Sequence, residues 1–278
     1  ANYGFPESHA ASFALLTYAS AYLKVHYLAE FTTAMLNNYP LGFYAPATLI
    51  KDAQRHGLHF NAIDINRSQR LFTIEAGRVR IGLKYVKGLR KDVAEAIVAG
   101  RNASVNERAD DDENTLSAAR VDARPYTSVE DLVRRVPAIN KKEIRALSLS
   151  GALNFDSTVH RRQALWESEL AIQPAGELFG NIEEKQPVPP FINQMSKWQL
   201  METDLMTTGI TIGKHPMAFL REELFKHGVL AANQTTHLKK RDVVTVAGAV
   251  IVRQRPSTAN DVVFITMEDE TGYSNFIV

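Results

Sequence analysis

The sequence predicts an α+β chain of several domains, helical in its first part and β-rich at its end. Three observations carry this. Helical periodicity recurs in successive segments, each bounded by a cap or stop residue. A glycine turn opens onto a cationic helix start near residue 88. From Val243 the texture changes to β-branched runs, Val243 to Arg253 and Val262 to Met267. The length of 278 residues fits two or more domains, and an apolar content of 45% is ample for a core. A net charge of +1 supplies no global field for nucleic acid, so any such binding needs local patches. The chain has no cysteine, which excludes disulfides, thiolate nucleophiles and cysteine zinc sites.

The first element spans the run from Ser8 to Leu23, which carries no formal charge. A membrane span needs about 20 consecutive apolar residues. Here Ser8, His9, Ser12, Thr17, Ser20 and tyrosines interrupt the run, and no cleavage signal follows it. With Pro6 in the first turn, the segment reads as one buried helix to about Asn37, ended by Pro40 and Gly42. A second helix covers 44–57, with Leu49, Ile50 and Ala53 as its apolar stripe. Phe60 to Ile65 reads as a strand, and Leu71 to Ile74 with Val79 to Gly82 as a hairpin around Glu75-Ala76-Gly77.

Residues 83–101 resemble a helix-hairpin-helix motif, with a Gly88 turn before a helix that buries Val93, Ala94, Ile97 and Val98. Residues 78–101 hold seven cations against Asp92 and Glu95, an excess of five. A glycine turn at a helix start presents N–H groups to a phosphate, and flanking cations add the salt-dependent term. The candidate DNA contacts are Lys84, Lys87, Gly88, Arg90, Lys91 and Arg101; the competing reading is a solvated helix face capped by glycine. Where the motif places its second glycine, this chain has Arg90. Residues 102–124, with Asp110-Asp111-Asp112-Glu113, read as a solvated, disordered insert. Ser128 with Asp131 predicts a capped helix start, Pro137 a stop, and Ile139 to Leu147 a second helix closed by Gly151. This second hairpin has lost its glycines and offers Lys141 and Lys142. Further helices are expected at His160 to Ile172, Lys197 to Met206 and Met217 to His227, with a loop over 174–190 and a short strand at Gly209 to Gly213.

No carboxylate or histidine cluster has the spacing of a metal site: Asp64-x-Asn66-x-Ser68 and Asp269-Glu270 read as turns, and His215-Pro216 as a helix cap. The last segment, from Val243, resembles the first half of an OB-fold. Its Arg253, Arg255 and Phe264 are candidates for single-strand contact, and Phe264 and Tyr273 read equally as core.

Taken together, Gly4 to Phe31, Asn37 to Ser68, and Arg253-Gln254-Arg255-Pro256 with Val262 to Gly272 resemble the bacterial C-family DNA polymerases, the DNA polymerase III alpha subunit family. Phe5-Pro6-Glu7-Ser8-His9, Pro40-Leu41-Gly42-Phe43-Tyr44 and Val262-Val263-Phe264-Ile265-Thr266 are most like the error-prone branch. The resemblance implies a C-terminal fragment divided as 1–72 (end of the fingers), 73–172 (tandem helix-hairpin-helix), 173–240 (linker and small α/β connector) and 241–278 (truncated OB-fold). The first residue is not Met and the last four read as a strand in progress, in keeping with a piece of a longer protein. The implied activity is DNA synthesis across lesions by a cytoplasmic enzyme with no membrane segment. Its Mg²⁺ ligands lie in a palm domain upstream, so no catalytic residue is assigned and the fragment alone is expected to be inactive. Ser8, His9 and Lys24 would face the nucleotide and primer–template, His9 being otherwise a buried structural histidine. Leu178 and Phe179 stand where relatives carry a sliding-clamp peptide, without its glutamine. Implied partners are primer–template DNA, single-stranded template, deoxynucleoside triphosphates, the clamp and accessory mutagenesis proteins. The alternatives are a non-enzymatic hairpin and OB-type DNA-binding module, or the main replicative alpha subunit.

Overall fold

A computed structural model describes residues 7–41, 45–102, 124–153, 155, 160–171, 192–256 and 262–278. The acidic insert, the 174–190 loop with Leu178 and Phe179, and the Ser8 side chain lie outside the described residues. The chain divides into two compact units: Ala1–Asn61 with Ile74–Val79 and Lys214–Val278, and Ala62–Thr73 with Arg80–Gly213.

In the first unit, α1 (Glu7–His26) and α2 (Leu28–Asn37) replace the single helix expected to Asn37. Tyr27 leaves the helical region at φ −137°, ψ 49°, which breaks the run without proline or glycine. Nor is the opening segment buried: Leu15, Leu16, Tyr18 and Val25 are 69%, 61%, 73% and 74% exposed. The cause is in the pattern. Apolar residues occupy every side of α1 rather than one stripe, so packing against α2 covers only part of it. The next helix, α3 (Pro46–Arg55), is joined to α1 by the ion pair Lys24–Asp52 at 2.6 Å.

Strand β1 is limited to Phe60–Asn61. It lies beside β3 (Arg78–Arg80), which pairs with β2 (Thr73–Glu75) in the order β1-β3-β2. The β2–β3 turn holds Ala76 at φ 48° and Gly77 at φ 75°, the pair of positive values that matches strand twist in a two-residue hairpin.

Later in this unit, α9 (Pro216–Lys226) leads to β4 (Val229–Leu230), which runs parallel to β5 (Thr245–Val246). The strand expected from Val243 to Arg253 is divided: Ala247-Gly248 separates β5 from β6 (Ala249–Gln254). A Cβ on Gly248 would stand 2.9 Å from the Glu268 carbonyl oxygen, so the chains pass too closely there for a side chain. β6, β7 (Phe264–Glu268) and β8 (Tyr273–Ile277) form an antiparallel meander, with a bulge between Val250 and Val252. The described strands form open three-stranded and two-stranded sheets, not a closed barrel.

The second unit is built on α4 (Lys91–Asn102), α5 (Val129–Arg135), α6 (Lys141–Ser150), α7 (Arg161–Ala171) and α8 (Lys197–Thr208). Leu83, Val93, Ile97, Leu132, Ile144, Leu147 and Leu153 are fully buried. Each contributes about 2 kcal/mol of hydrophobic stabilisation. The Ser128 hydroxyl accepts the Asp131 N–H, and Asn140 forms a reciprocal capping box with Glu143, while Gly151 closes α6 at φ 81°. These stop and start signals match the expected boundaries. Residues 209–213 form no strand; Gly209 ends α8 at φ 74°, and the hydroxyls of Thr208 and Thr211 take the backbone hydrogen bonds that a strand partner would supply.

Gly82 precedes the 3-10 turn Leu83–Tyr85. A Cβ there would run into the Leu71 carbonyl carbon and lie 2.7 Å from the carbonyl oxygens of Arg70 and Leu71. Because these are backbone atoms, Gly82→Ala is expected to lower stability by about 2 kcal/mol or more, as a loss in urea midpoint without a change of slope.

Candidate nucleic-acid interface

The first hairpin is reached through buried Leu83 and Tyr85, the latter edge-on to Phe72 with ring centroids 4.9 Å apart. Its turn then uses Gly88 at φ 85°. The Leu89 N–H donates to Val86 O at 3.1 Å, and the Lys87 N–H to Thr207 O at 2.8 Å. The Lys87 ammonium donates to Leu205 O at 3.1 Å. Lys87 therefore sits at the carbonyl end of α8, where a cation is favoured. Lys84, Gly88 and Lys91 are exposed; the Lys91 side chain is 69% exposed and only loosely paired with Glu95 at 3.9 Å.

Arg90, although half exposed, is engaged by the second hairpin. Its backbone N–H and Nε each donate to Glu143 Oε1 at 3.0 Å, and Nη2 donates to Glu143 Oε2 at 3.3 Å and to Ala138 O. Glu143 Oε2 also accepts the Asn140 N–H at 3.0 Å. The Glu143 side chain is 1% exposed and that of Arg90 49%. Burial pushes the Glu143 carboxyl up, but hydrogen bonds from the Arg90 side chain and from the Arg90 and Asn140 N–H groups outweigh it, and its pKa lies below the ordinary value. The pair joins the start of α4 to the start of α6. Lys91, Lys141 and Lys142, all exposed, stand on those two helix starts. Lys141 and Arg145 both pair with Glu169, at 2.9 Å for the lysine; Lys142 is exposed.

Arg101 is buried, 4% exposed. Its guanidinium donates to the carbonyls of Ile65 (3.0 Å), Ser68 (2.8 Å) and Arg67 (3.5 Å). It thus closes the 64–68 segment, where Asp64 accepts the N–H of Asn66 and Ser68 hydrogen-bonds to Ile81 O. That segment is the turn the sequence predicts, and Asn66 also exchanges two hydrogen bonds with the Tyr126 backbone. Arg101 is accordingly withdrawn from the surface on which the sequence reading placed it.

Among the remaining candidates, His9 is exposed rather than buried, and its ring lies 4.4 Å from that of Phe13. Lys24 is engaged by Asp52. Arg253 and Arg255 are exposed, and Phe264 is 40% exposed on β7. Tyr273 lies under the Arg55 guanidinium at 4.6 Å, and Arg55 pairs with buried Glu268 at 2.9 Å. Burial, and then the Glu268 charge, push the Tyr273 hydroxyl up to about 12. His215 caps α9 by accepting the Met217 N–H on Nδ1 at 3.1 Å; burial, then the charge of Lys51, lowers its pKa to about 4, so it stays neutral at pH 7. Asp269 caps the turn Asp269–Gly272 and pairs with Arg221. No group of three histidine or acidic residues suited to a metal occurs among the described residues. No helix among them is long and apolar enough to cross a membrane.

Two helix starts are thus tied together, each entered through a short turn. The helix-hairpin-helix motif family matches residues 57–112 and again 103–165. Along its whole length the chain is similar to error-prone DNA polymerases. It is 38% identical to that of Anaeromyxobacter dehalogenans (strain 2CP-C) and 38% identical to that of Corynebacterium glutamicum, each over 100% of this chain and 24% of the relative. It is 36% identical to that of Alkalilimnicola ehrlichii over 99% of this chain and 25% of the relative. The chain therefore spans about a quarter of the length of these relatives, and the resemblance to the error-prone branch is shown.

Glu143 escaped the sequence reading as a partner of the first hairpin. The capping spacing Asn140-x-x-Glu143 marks its place on α6, but nothing local points to Arg90, 53 residues away. Two outcomes follow. Arg101→Gln should cost about 2 kcal/mol or more, because buried carbonyls lose their donor, while the salt dependence of any DNA binding stays unchanged. Glu143 has a lowered folded pKa, so its contribution is present above its unfolded value and is lost as pH falls through the folded one. The midpoint of thermal unfolding should fall below about pH 4, and Glu143→Gln should flatten the part of that fall due to this carboxylate.

Proposed function

We propose that this chain is the DNA-gripping part of an error-prone DNA polymerase, holding primer–template duplex through its tandem hairpin unit. The observation that carries the reading is the double helix-hairpin-helix match within a chain similar throughout to polymerases of that name. The exposed Lys84, Lys91 and Lys142, with the Gly88 turn, are the proposed phosphate contacts. Lys87, held by Leu205 O, and Lys141, paired with Glu169, stand beside them. Such contacts hold a duplex by its backbone and do not read sequence.

In the whole polymerase, template-directed synthesis from deoxynucleoside triphosphates across lesions would use Mg²⁺ held by residues elsewhere. With those residues supplied by another part of the enzyme, this chain alone extends no primer. The exposed sides of α1 would pack on further polymerase sequence, as the fourfold greater length of the relatives allows, with His9 toward the nucleotide. The meander β6-β7-β8 would be the first half of an OB-fold, with Arg253, Arg255 and Phe264 toward single-stranded template. The sliding clamp and accessory mutagenesis proteins are the further partners of this reading, which belongs to the cytoplasm.

Replacing Lys84, Lys91 and Lys142 together by alanine should weaken duplex binding alike for all sequences. The slope of log affinity against log salt should fall by about 2–3, near 0.9 per lost phosphate contact. An unchanged slope in the folded variant rules out this face as the grip.

A further inference from the structure

The start of α4 already has an anion on it. Glu143 accepts from the Arg90 main-chain N–H and from two guanidinium nitrogens, at 3.0, 3.0 and 3.3 Å. A main-chain donor at a helix start together with a bidentate arginine is the donor set that takes a phosphate. Here a buried carboxylate of the same chain fills it, fixed from its other side by the Asn140 N–H at 3.0 Å. The neighbouring turn donors are also engaged, Lys87 N by Thr207 O and Leu89 N by Val86 O.

We propose that Glu143 is an internal stand-in for a DNA phosphate at the first hairpin, and that Arg90 is thereby withheld from the duplex. A phosphate could take the Arg90 N–H, Nε and Nη2 only by displacing Glu143, leaving a buried carboxylate without its partner, which is strongly unfavourable; the remaining nitrogen, Nη1, lies 3.5 Å from the Asp92 carboxylate. Arg90 then does not add to the cationic face; its charge is neutralised, and its function is to hold the two hairpin starts in register. The identity of the residue explains this. A glycine at position 90 would offer Glu143 the main-chain N–H alone, whereas arginine adds a guanidinium that reaches the second hairpin. The duplex must accordingly be met by side chains of Lys84, Lys91 and Lys142 and not by the backbone donor at residue 90. The inference rests on the duplex-binding reading given above.

The test is a salt titration of duplex oligonucleotide binding by the full chain, with thermal melting as the check of folding. The double variant Arg90→Gln, Glu143→Gln removes both charges and leaves no buried ion unpaired; it should keep the wild-type slope. Glu143→Gln alone keeps an acceptor for the Arg90 N–H, leaves the guanidinium with only the exposed Asp92 at 3.5 Å, and should steepen the slope by about 0.9, one added phosphate contact. A double variant whose slope falls by about 0.9 overturns the proposal, because Arg90 would then have been a phosphate contact in the wild type. So does a folded Glu143→Gln with an unchanged slope. If Glu143→Gln does not fold, the double variant decides. A wild-type chain with no salt-dependent duplex binding sinks the duplex-binding reading itself, and is told apart by failing before any variant is compared.

Discussion

The buried carboxylate of Glu143 holds the hairpin unit together. It caps its own helix through Asn140, takes the first N–H before α4, and pairs with Arg90. Three donors of different origin converge on one group that is 1% exposed. A carboxylate in that position must stay ionised and fully hydrogen-bonded, because an unpaired buried charge is among the costliest features a fold can carry. The relative placement of α4 and α6 is therefore tightly specified, and with it the spacing of the lysines on their first turns.

Around that constraint, cations divide by what they touch. Arg101 is consumed by carbonyls of the 65–68 turn, Arg135 lies 4.2 Å over the Tyr126 ring and pairs with Asp131, and Arg161 pairs with Asp204 at 2.6 Å. Arginine suits these places, since its planar fork satisfies several acceptors at once. Lysines 84, 91 and 142 remain exposed. A compact hydrated ammonium on a flexible stem suits a salt-dependent contact with a phosphate backbone. The charge excess visible in the sequence is real, but most of it is structural: Arg78, Arg80, Lys87, Arg90 and Arg101 bond to the protein.

Local rules made much of this legible. Ser128 with Asp131, and Gly151, marked helix ends correctly, and the β7–β8 turn at Asp269–Gly272 followed from its residue types. The parts that were not legible depend on contacts distant in sequence or on missing ones. Tyr27 breaks α1 from α2 with no breaker residue, and Gly248 interrupts a β-rich run because Glu268 passes close by. α1 looked like a helix to be hidden, yet its apolar residues point in all directions and one neighbouring helix cannot cover them. At the candidate site, Gly88 and the lysines were found from spacing and charge. The engagement of Arg90 by Glu143 and the burial of Arg101 were not, because their acceptors lie up to 53 residues away.

The central claim is that duplex DNA meets the lysines of two linked helix starts while the Arg90–Glu143 pair stays closed. A lysine- and arginine-selective NMR titration with duplex oligonucleotide measures this directly. The account predicts saturable shifts at the side chains of Lys84, Lys91 and Lys142, with the Arg90 Nε–H resonance unmoved. Shifts confined to residues of β6, β7 and β8, or a large shift of the Arg90 Nε–H on binding, would contradict it.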